Sequence, residues 1–167
     1  LNQIVPIVLH CANPFWQDIN ASSVLYSAGG GSDTFEVPTV VPFKVGASTM
    51  SISQVVDYRG DADAYPVIKV FGPVTNFKIW KETKKQEGTK NTMQLDFAGT
   101  TIAAGDWYEI DLRYGVKTIK DSAGANKISA LSATSNLATF RLMADTTNLI
   151  AASGSGITSA TMVQLTW

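Results

Sequence analysis

The sequence has very little cysteine and histidine, and this excludes several classes of protein. Its 167 residues include one cysteine, Cys11, and one histidine, His10. A single cysteine cannot form a disulfide within the chain, so a disulfide-built extracellular scaffold is excluded. A zinc site needs about three or four protein ligands, and these two residues cannot supply them. They are also adjacent, so in an extended strand they point to opposite faces and cannot pair as nucleophile and base.

The sequence also lacks a large excess of positive or negative charge, and it lacks a long apolar run. The chain has 13 basic and 14 acidic residues and a net charge of -1, which gives no general electrostatic reason to bind nucleic acid or an anionic membrane. No apolar run approaches the ~20 residues that cross a bilayer. The opening stretch has no basic segment followed by a long apolar block, so it does not resemble a signal peptide. We therefore expect neither a nucleic-acid partner nor a membrane partner.

Short stretches of alternating apolar and polar residues fill much of the chain. They include "TMQLDF" (92–97), "WYEIDL" (107–112), "ATFRL" (138–142) and "TMVQLTW" (161–167). Turn signals rich in glycine recur between them, and no stretch of ten or more residues has helical periodicity. This pattern predicts an all-β fold, an antiparallel β-sandwich or jelly roll. The residues expected between its sheets are Met93, Leu95, Phe97, Tyr108, Ile110, Leu112, Phe140 and Leu142.

The chain divides into an irregular first part and a regular second part. Residues 1–47 hold four of the six prolines and a glycine triplet, whereas regular alternation starts at residue 48. We interpret residues 1–47 as a linker from an N-terminal half outside this sequence, and residues 48–167 as the sandwich domain.

Two groups of acidic residues have spacings that suggest chemistry. Glu109 and Asp111 lie two apart on one strand, hence ~6–7 Å apart, which is compatible with paired glycosidase carboxylates. The inward positions beside them are apolar, so we expect both acids to point to solvent. Asp57, Asp61 and Asp63 lack the spacing and closing glutamate of an EF-hand, so we expect solvated carboxylates there. The sequence thus predicts no catalytic, cofactor-binding or metal-binding residue.

The tripeptide Arg59-Gly60-Asp61 has the sequence of an integrin ligand. It lies in a polar stretch between two predicted strands, where glycine and aspartate are typical turn residues. We interpret it as the turn that leads into the strand beginning at Tyr65, since nothing else in the chain supports a receptor-ligand role.

Lysines and tryptophans provide the candidate interface. The stretch "KIWKETKKQEGTK" holds five lysines and two glutamates, a local charge of +3 (five minus two). It predicts an exposed hairpin tip, either a solvated loop or a docking loop for an acidic partner. Trp107 lies on the predicted outer face, next to Glu109. An exposed tryptophan there can fill a protein interface or stack on a sugar ring, and the alternative is a partly covered surface residue. The candidate interface residues are Trp16, Trp107, Lys81, Lys84 and Lys85.

Four stretches follow one another along the chain: "RGDADAYPVIKVFGP", "AAGDWYEIDLRYGVKTI", "RLMADTTNLIAA" and the final "TMVQLTW". In this order they resemble the C-terminal half of the distal tail protein family of long-tailed bacteriophages, and "HCANPFWQD" resembles the linker that precedes this half. The matching positions are Gly60-Asp61, Tyr65-Pro66, Gly72, Gly105-Asp106, Ile110-Asp111 and Asn148-Leu149-Ile150. The chain departs from the family at Asp145-Thr146-Thr147, where Pro-Gly is usual before the Asn, and in a longer loop over residues 81–91.

The resemblance implies a structural, non-enzymatic role. Proteins of this family form a ring at the far end of the tail tube, where the tip or baseplate attaches, and their C-terminal domain is a galectin-like β-sandwich. The implied partners are copies of the full-length chain in a ring, the tail tube and the tip or baseplate proteins, with no cofactor. The implied location is the virion tail, and the bacterial host cytoplasm during assembly.

A carbohydrate-binding module that contacts host cell-wall sugars is the alternative. A galectin-like sandwich favours it, but galectins use a His-x-Asn-x-Arg strand with a nearby tryptophan. The one histidine here lies in "LHCAN", which lacks the arginine. Fold alone does not transfer the activity.

Overall fold

A computed structural model describes residues 23–27, 49–84, 90–144 and 146–167. Within these ranges the chain forms nine strands, one short 3-10 turn and no α-helix. The strands are β1 Ser23–Ser27, β2 Thr49–Val56, β3 Val67–Phe71, β4 Val74–Lys84, β5 Lys90–Ile102, β6 Trp107–Asp111, β7 Thr118–Asp121, β8 Asn148–Ser155 and β9 Met162–Thr166, and the 3-10 turn is Ile128–Ala130.

The strands build two antiparallel sheets that pack face to face. The five-stranded sheet has the order β1-β9-β3-β6-β7, and the four-stranded sheet has the order β2-β8-β4-β5. Every pairing is antiparallel. One hydrophobic cluster draws on both sheets, so the predicted all-β antiparallel sandwich is confirmed.

The predicted core residues lie between the sheets. Seven of the eight are buried, and Met93 is partly buried against the same cluster. Aromatic rings pack within and between the layers: the ring centroids of Phe97 in β5 and Tyr108 in β6 are 6.1 Å apart across the two sheets, and those of Phe77 and Phe97, partners in the four-stranded sheet, are 6.0 Å apart. Alternation along each strand thus separates a core face from an outer face, as expected for a half-buried sheet.

The prediction of a strand over residues 138–142 is wrong, although Phe140 and Leu142 are buried. Residues 137–139 form a turn, and Leu142 only bridges to Ala64. The reason is that the preceding segment follows the edge of β5, where the Ser132 amide donates to Asp96 O at 2.8 Å. Its backbone groups are satisfied there and in the turn, so no further strand is needed.

Part of the predicted linker belongs to the five-stranded sheet. β1 pairs with β9 over its whole length, from Ser23 opposite Thr166 to Ser27 opposite Met162. The rest of residues 1–47 lies outside the described residues. The domain boundary at residue 48 therefore stays a prediction, beside the finding that β1 adds an edge strand to the sandwich.

A two-residue connection joins the two sheets. β3 belongs to the five-stranded sheet and β4 to the four-stranded sheet, and only Gly72 and Pro73 lie between them. A Cβ atom at Gly72 would lie 2.1 Å from the carbonyl oxygen of Ala103, so this position has no room for a side chain. The hydroxyl of Thr161 donates to the Pro73 carbonyl at 2.6 Å and fixes the crossing from the β9 side.

Removing one core side chain tests the packing between the sheets. Leu95 has no exposed surface, so Leu95→Ala should lower the free energy of unfolding by about 2–5 kcal/mol through the cavity that it leaves. Urea unfolding gives the value. Val55→Ala is the matched control, because Val55 is 53% exposed and its truncation should change stability by less than about 0.5 kcal/mol. Equal effects of the two changes would contradict the assigned core.

Candidate functional site

Three groups of residues outside the hydrophobic core have the chemistry of a site. The Trp107 row lies on the outer face of the five-stranded sheet, the Trp80 groove on the outer face of the four-stranded sheet, and the Lys81 cluster at one end of the sandwich. They consist, respectively, of Phe71, Trp107 and Met162; of Lys78, Trp80, Glu82, Thr92, Gln94 and Ser153; and of Asp63, Lys81 and Arg141.

The Trp107 row is a strip of partly exposed apolar side chains. The strand register places Phe71 opposite both Trp107 and Met162, so the three lie side by side across three strands. The Lys69 ammonium lies 4.2 Å from the centroid of the Trp107 ring and 3.1 Å from a Glu109 carboxylate oxygen. Trp107 therefore lies on the outer face, as predicted, with an ion pair on one side. Its role at an interface stays a prediction.

The Trp80 groove is centred on a tryptophan that sequence reasoning did not single out. Trp80 lies in β4 between Ala151 of β8 and Gln94 of β5, and it is partly exposed. Lys78 and Glu82 precede and follow it on the same face. The groove has a volume of about 380 Å³, within the range of ligand pockets, about 300–1,000 Å³.

Neighbouring loop residues hold Gln94 in place. Its side-chain amide donates to the Thr134 hydroxyl at 3.1 Å, and its backbone amide donates to the Asn136 side-chain oxygen at 3.0 Å. The Asn136 backbone amide in turn donates to Gln94 O at 2.7 Å. The segment that covers the edge of β5 thus fixes one wall of the groove.

Lys81 is a candidate interface residue that the structure removes from the surface. The prediction that it lies in an exposed hairpin tip is wrong, because β4 extends to Lys84 and Lys81 is 0% exposed. It faces the same way as Phe77 and Ile79, and its ammonium donates to Arg141 O at 2.8 Å. The alternation of Phe77, Ile79 and Lys81 was the available sequence signal, but the lysine-rich composition obscured it.

Burial makes the Lys81 ammonium easier to deprotonate. Desolvation lowers the pKa of its ammonium from 10.5 to about 8; Asp63 opposes this shift and Arg141 adds to it. The Arg141 Nε atom lies 2.8 Å from an Asp63 oxygen as an ion pair, without the alignment of a hydrogen bond. The other Asp63 oxygen accepts from the Ala144 amide at 3.1 Å. The cluster thus ties two loops to β4.

Asp111 corrects the prediction of two solvated acids. It points outward, but its side chain is only 8% exposed because Arg113 folds back over it. The Arg113 side chain donates to both carboxylate oxygens, at 3.0 and 2.6 Å, and these hydrogen bonds hold the pKa of Asp111 below 3.8. Glu109 pairs instead with Lys69. The two acids therefore contact different cations.

The integrin-like tripeptide lies in the connection between β2 and β3, as predicted. Arg59 pairs with Asp57 at 2.7 Å. A Cβ atom at Gly60 would lie 2.1 Å from the Tyr58 hydroxyl, which itself donates to the Ala62 carbonyl. The Tyr58 ring covers the glycine, so the tripeptide is part of a turn that local side-chain contacts hold together.

The remaining predicted residues fall partly outside the described ranges. Trp16 and Lys85 lie outside them, and Lys84 ends β4. Among the described residues, no group of three His, Cys, Asp or Glu side chains could hold a metal ion. That same part of the chain contains no helix long and apolar enough to cross a membrane.

Comparison with known proteins finds no matching family model, no matching curated protein and no matching solved structure.

The titration of Lys81 gives a pH dependence with a defined sign. The unfolded chain, with a lysine pKa of 10.5, binds more protons than the folded chain between pH 8 and 10.5. Stability therefore rises with pH across this window. Between pH 7 and 10 the wild type should gain about 1–3 kcal/mol in unfolding free energy relative to Lys81→Met. Denaturant unfolding across this pH range measures the difference.

Lys78→Met, on the outer face of the same strand, is the control. Its unfolding free energy should change with pH in parallel with that of the wild type. If the curve for Lys81→Met were also parallel to the wild type, the Lys81 ammonium would be solvated.

Replacing each acid separately tests the correction for Asp111. Asp111→Asn should lower the unfolding free energy at pH 7 by about 1–3 kcal/mol, because it weakens charge-assisted hydrogen bonds to Arg113. The folded pKa is depressed, so this contribution is present above pH 3.8 and disappears as the pH falls through the folded value. Glu109→Gln should cost less than about 1 kcal/mol, as for a surface ion pair. Thermal and denaturant unfolding at pH 7 and at acid pH would contradict the assignment if the two variants behaved alike.

Proposed function

We propose that this chain is a structural component of a bacteriophage tail tip, where it joins the end of the tail tube to the tip or baseplate. The Trp107 row carries this proposal, as the contact surface for a neighbouring tail protein. The row crosses β9, β3 and β6, the three central strands of the five-stranded sheet, at the end of β3 and the beginnings of β6 and β9. Aromatic residues and methionine are enriched in the centres of protein interfaces, while charged residues are depleted there.

The surroundings of the row also support a protein contact. Lys69 and Glu109 form their ion pair beside the apolar strip, which gives an apolar strip with a charged border on one side. That arrangement matches the division of interfaces into a hydrophobic core and a polar rim. The proposed partners are copies of the full-length chain in a ring, the tail tube and the tip proteins.

The positions that carry the resemblance have structural reasons in this sandwich. Gly72 occupies the crowded crossing between the sheets, and Gly105 has a φ of 85°, which favours glycine. Asn148 is fully buried, and its side chain bonds Met143 N, Met143 O and Thr146 O at 2.9–3.2 Å. The asparagine thus closes the late turn without the usual Pro-Gly. These residues support assignment to the sandwich half of the family.

Immunogold electron microscopy tests the location. Antibodies raised against the purified chain should label particles of the encoding phage or induced prophage at the distal end of the tail. Particles that lack the gene product, made from a deletion, are the control and should not be labelled. Label on the capsid, or along the tail shaft only, would contradict the proposal.

Substitution in the Trp107 row tests the contact itself. Trp107→Ala, introduced into the phage gene, should reduce the recovery of tails with attached tips by more than about tenfold, as expected for a central interface tryptophan. Tyr114→Ala is the matched control, because Tyr114 is an aromatic residue that is 65% exposed away from the row. Thermal unfolding of both purified variants shows whether the fold is retained. Normal tails from a folded Trp107→Ala variant would rule out the row as the contact.

A further inference from the structure

The outer face of the four-stranded sheet differs in chemistry from the Trp107 row. Here a single aromatic side chain lies among groups that donate and accept hydrogen bonds. Lys78 and Glu82 flank Trp80 at two-residue spacing on the same strand, hence about 6–7 Å away along the sheet. Charged residues are depleted at the centres of protein interfaces, so this arrangement does not favour a protein partner.

The register places Trp80 beside a small residue of the neighbouring strand. Ala151 points to the outer face, yet it is only 5% exposed. Its partners in register are Ser53 and Trp80, and the indole is the larger of the two. Trp80 is therefore the neighbour best placed to cover Ala151, and an indole that lies along the sheet at this position presents one face to solvent. A flat aromatic face of this kind suits a ligand with its own flat apolar face.

The charges of the groove favour a neutral ligand. Its lining contains one cation, Lys78, and one anion, Glu82, so the lining has no net charge. An anionic ligand such as a phosphate polymer or nucleic acid would contact the carboxylate as well as the ammonium. A neutral ligand rich in hydroxyl groups can donate to Glu82 and accept from Lys78.

The walls of the groove are held before any ligand arrives. Trp80 lies in β4, an inner strand of its sheet, and Gln94 is fixed by its hydrogen bonds to Thr134 and Asn136. A ligand that binds such a preformed wall does not have to order it, which reduces the entropic cost of binding.

We infer that the Trp80 groove binds a neutral pyranose sugar, with the apolar face of the ring on the indole and its hydroxyl groups on the flanking polar side chains. Pyranoses combine an apolar C–H face with a rim of hydroxyls, which is the combination that this lining complements. The site is distinct from the Trp107 row on the opposite sheet. The inference goes beyond the proposed tail function and does not depend on it.

Nuclear magnetic resonance titration of the purified chain tests the inference. The probes are chitohexaose, a neutral polymer of N-acetylhexosamine, and cellohexaose, a neutral polymer of glucose; a sulfated heparin oligosaccharide is the anionic comparison. At least one neutral probe should shift the Trp80 indole signal, which is assigned by its loss in Trp80→Ala, with a dissociation constant on the order of 1 mM for an open single-aromatic groove. The probe that binds more tightly shows whether the groove prefers N-acetylhexosamine or glucose.

Two variants connect the binding to the groove. Trp80→Ala should weaken binding of the neutral probe by at least about tenfold, and Gln94→Ala by about fivefold, while Tyr114→Ala should leave it unchanged. Circular dichroism and thermal unfolding show that each variant is folded. Absence of any shift with either neutral probe at 10 mM, or unchanged binding in Trp80→Ala, would overturn the inference. Tighter binding of the sulfated probe that is lost in Lys78→Ala would also overturn it, in favour of an anion site. None of these outcomes bears on particle labelling or tail recovery.

Discussion

The packing of the two sheets against each other determines which side chains of the described strands face outward. Phe97 and Tyr108 meet across the layers, and the alternation of each strand then determines which residues face outward. A shift of the β4 register by one residue would turn Trp80 toward the core and turn the buried Ile79 and Lys81 toward solvent. Both outer faces, with their different chemistry, are thus set by the same core contacts.

Local alternation was enough to predict the sandwich and most of its core. The alternation of residues 107–112 and 161–167 appears in β6 and β9, Trp107–Asp111 and Met162–Thr166, because one face of each strand is buried. The pattern failed at residues 138–142, where hydrogen bonds to the edge of β5 replace a strand ladder. Those bonds join segments far apart in the chain, so alternation could not reveal them.

The candidate sites were harder to predict for specific reasons. Burial of Asp111 depends on a side chain two residues away that folds back over it, which strand alternation does not encode. The Trp80 groove depends on β8 pairing beside β4, and the sequence does not state which strands are neighbours. Lys81 is different, since its inward phase was visible in the sequence and only its charge argued against burial.

The short crossing at Gly72 and Pro73 has a mechanical consequence. β3 carries Phe71 of the Trp107 row, and β4 carries the Trp80 groove, so the opposite faces of the sandwich are joined by two residues of main chain. A pull applied to one face and resisted at the other is carried from sheet to sheet by covalent bonds as well as by side-chain packing. The Thr161 hydrogen bond to Pro73 anchors that link to β9. Because only two residues lie between β3 and β4, the crossing has little slack, and we expect it to resist sliding of one sheet past the other under tension.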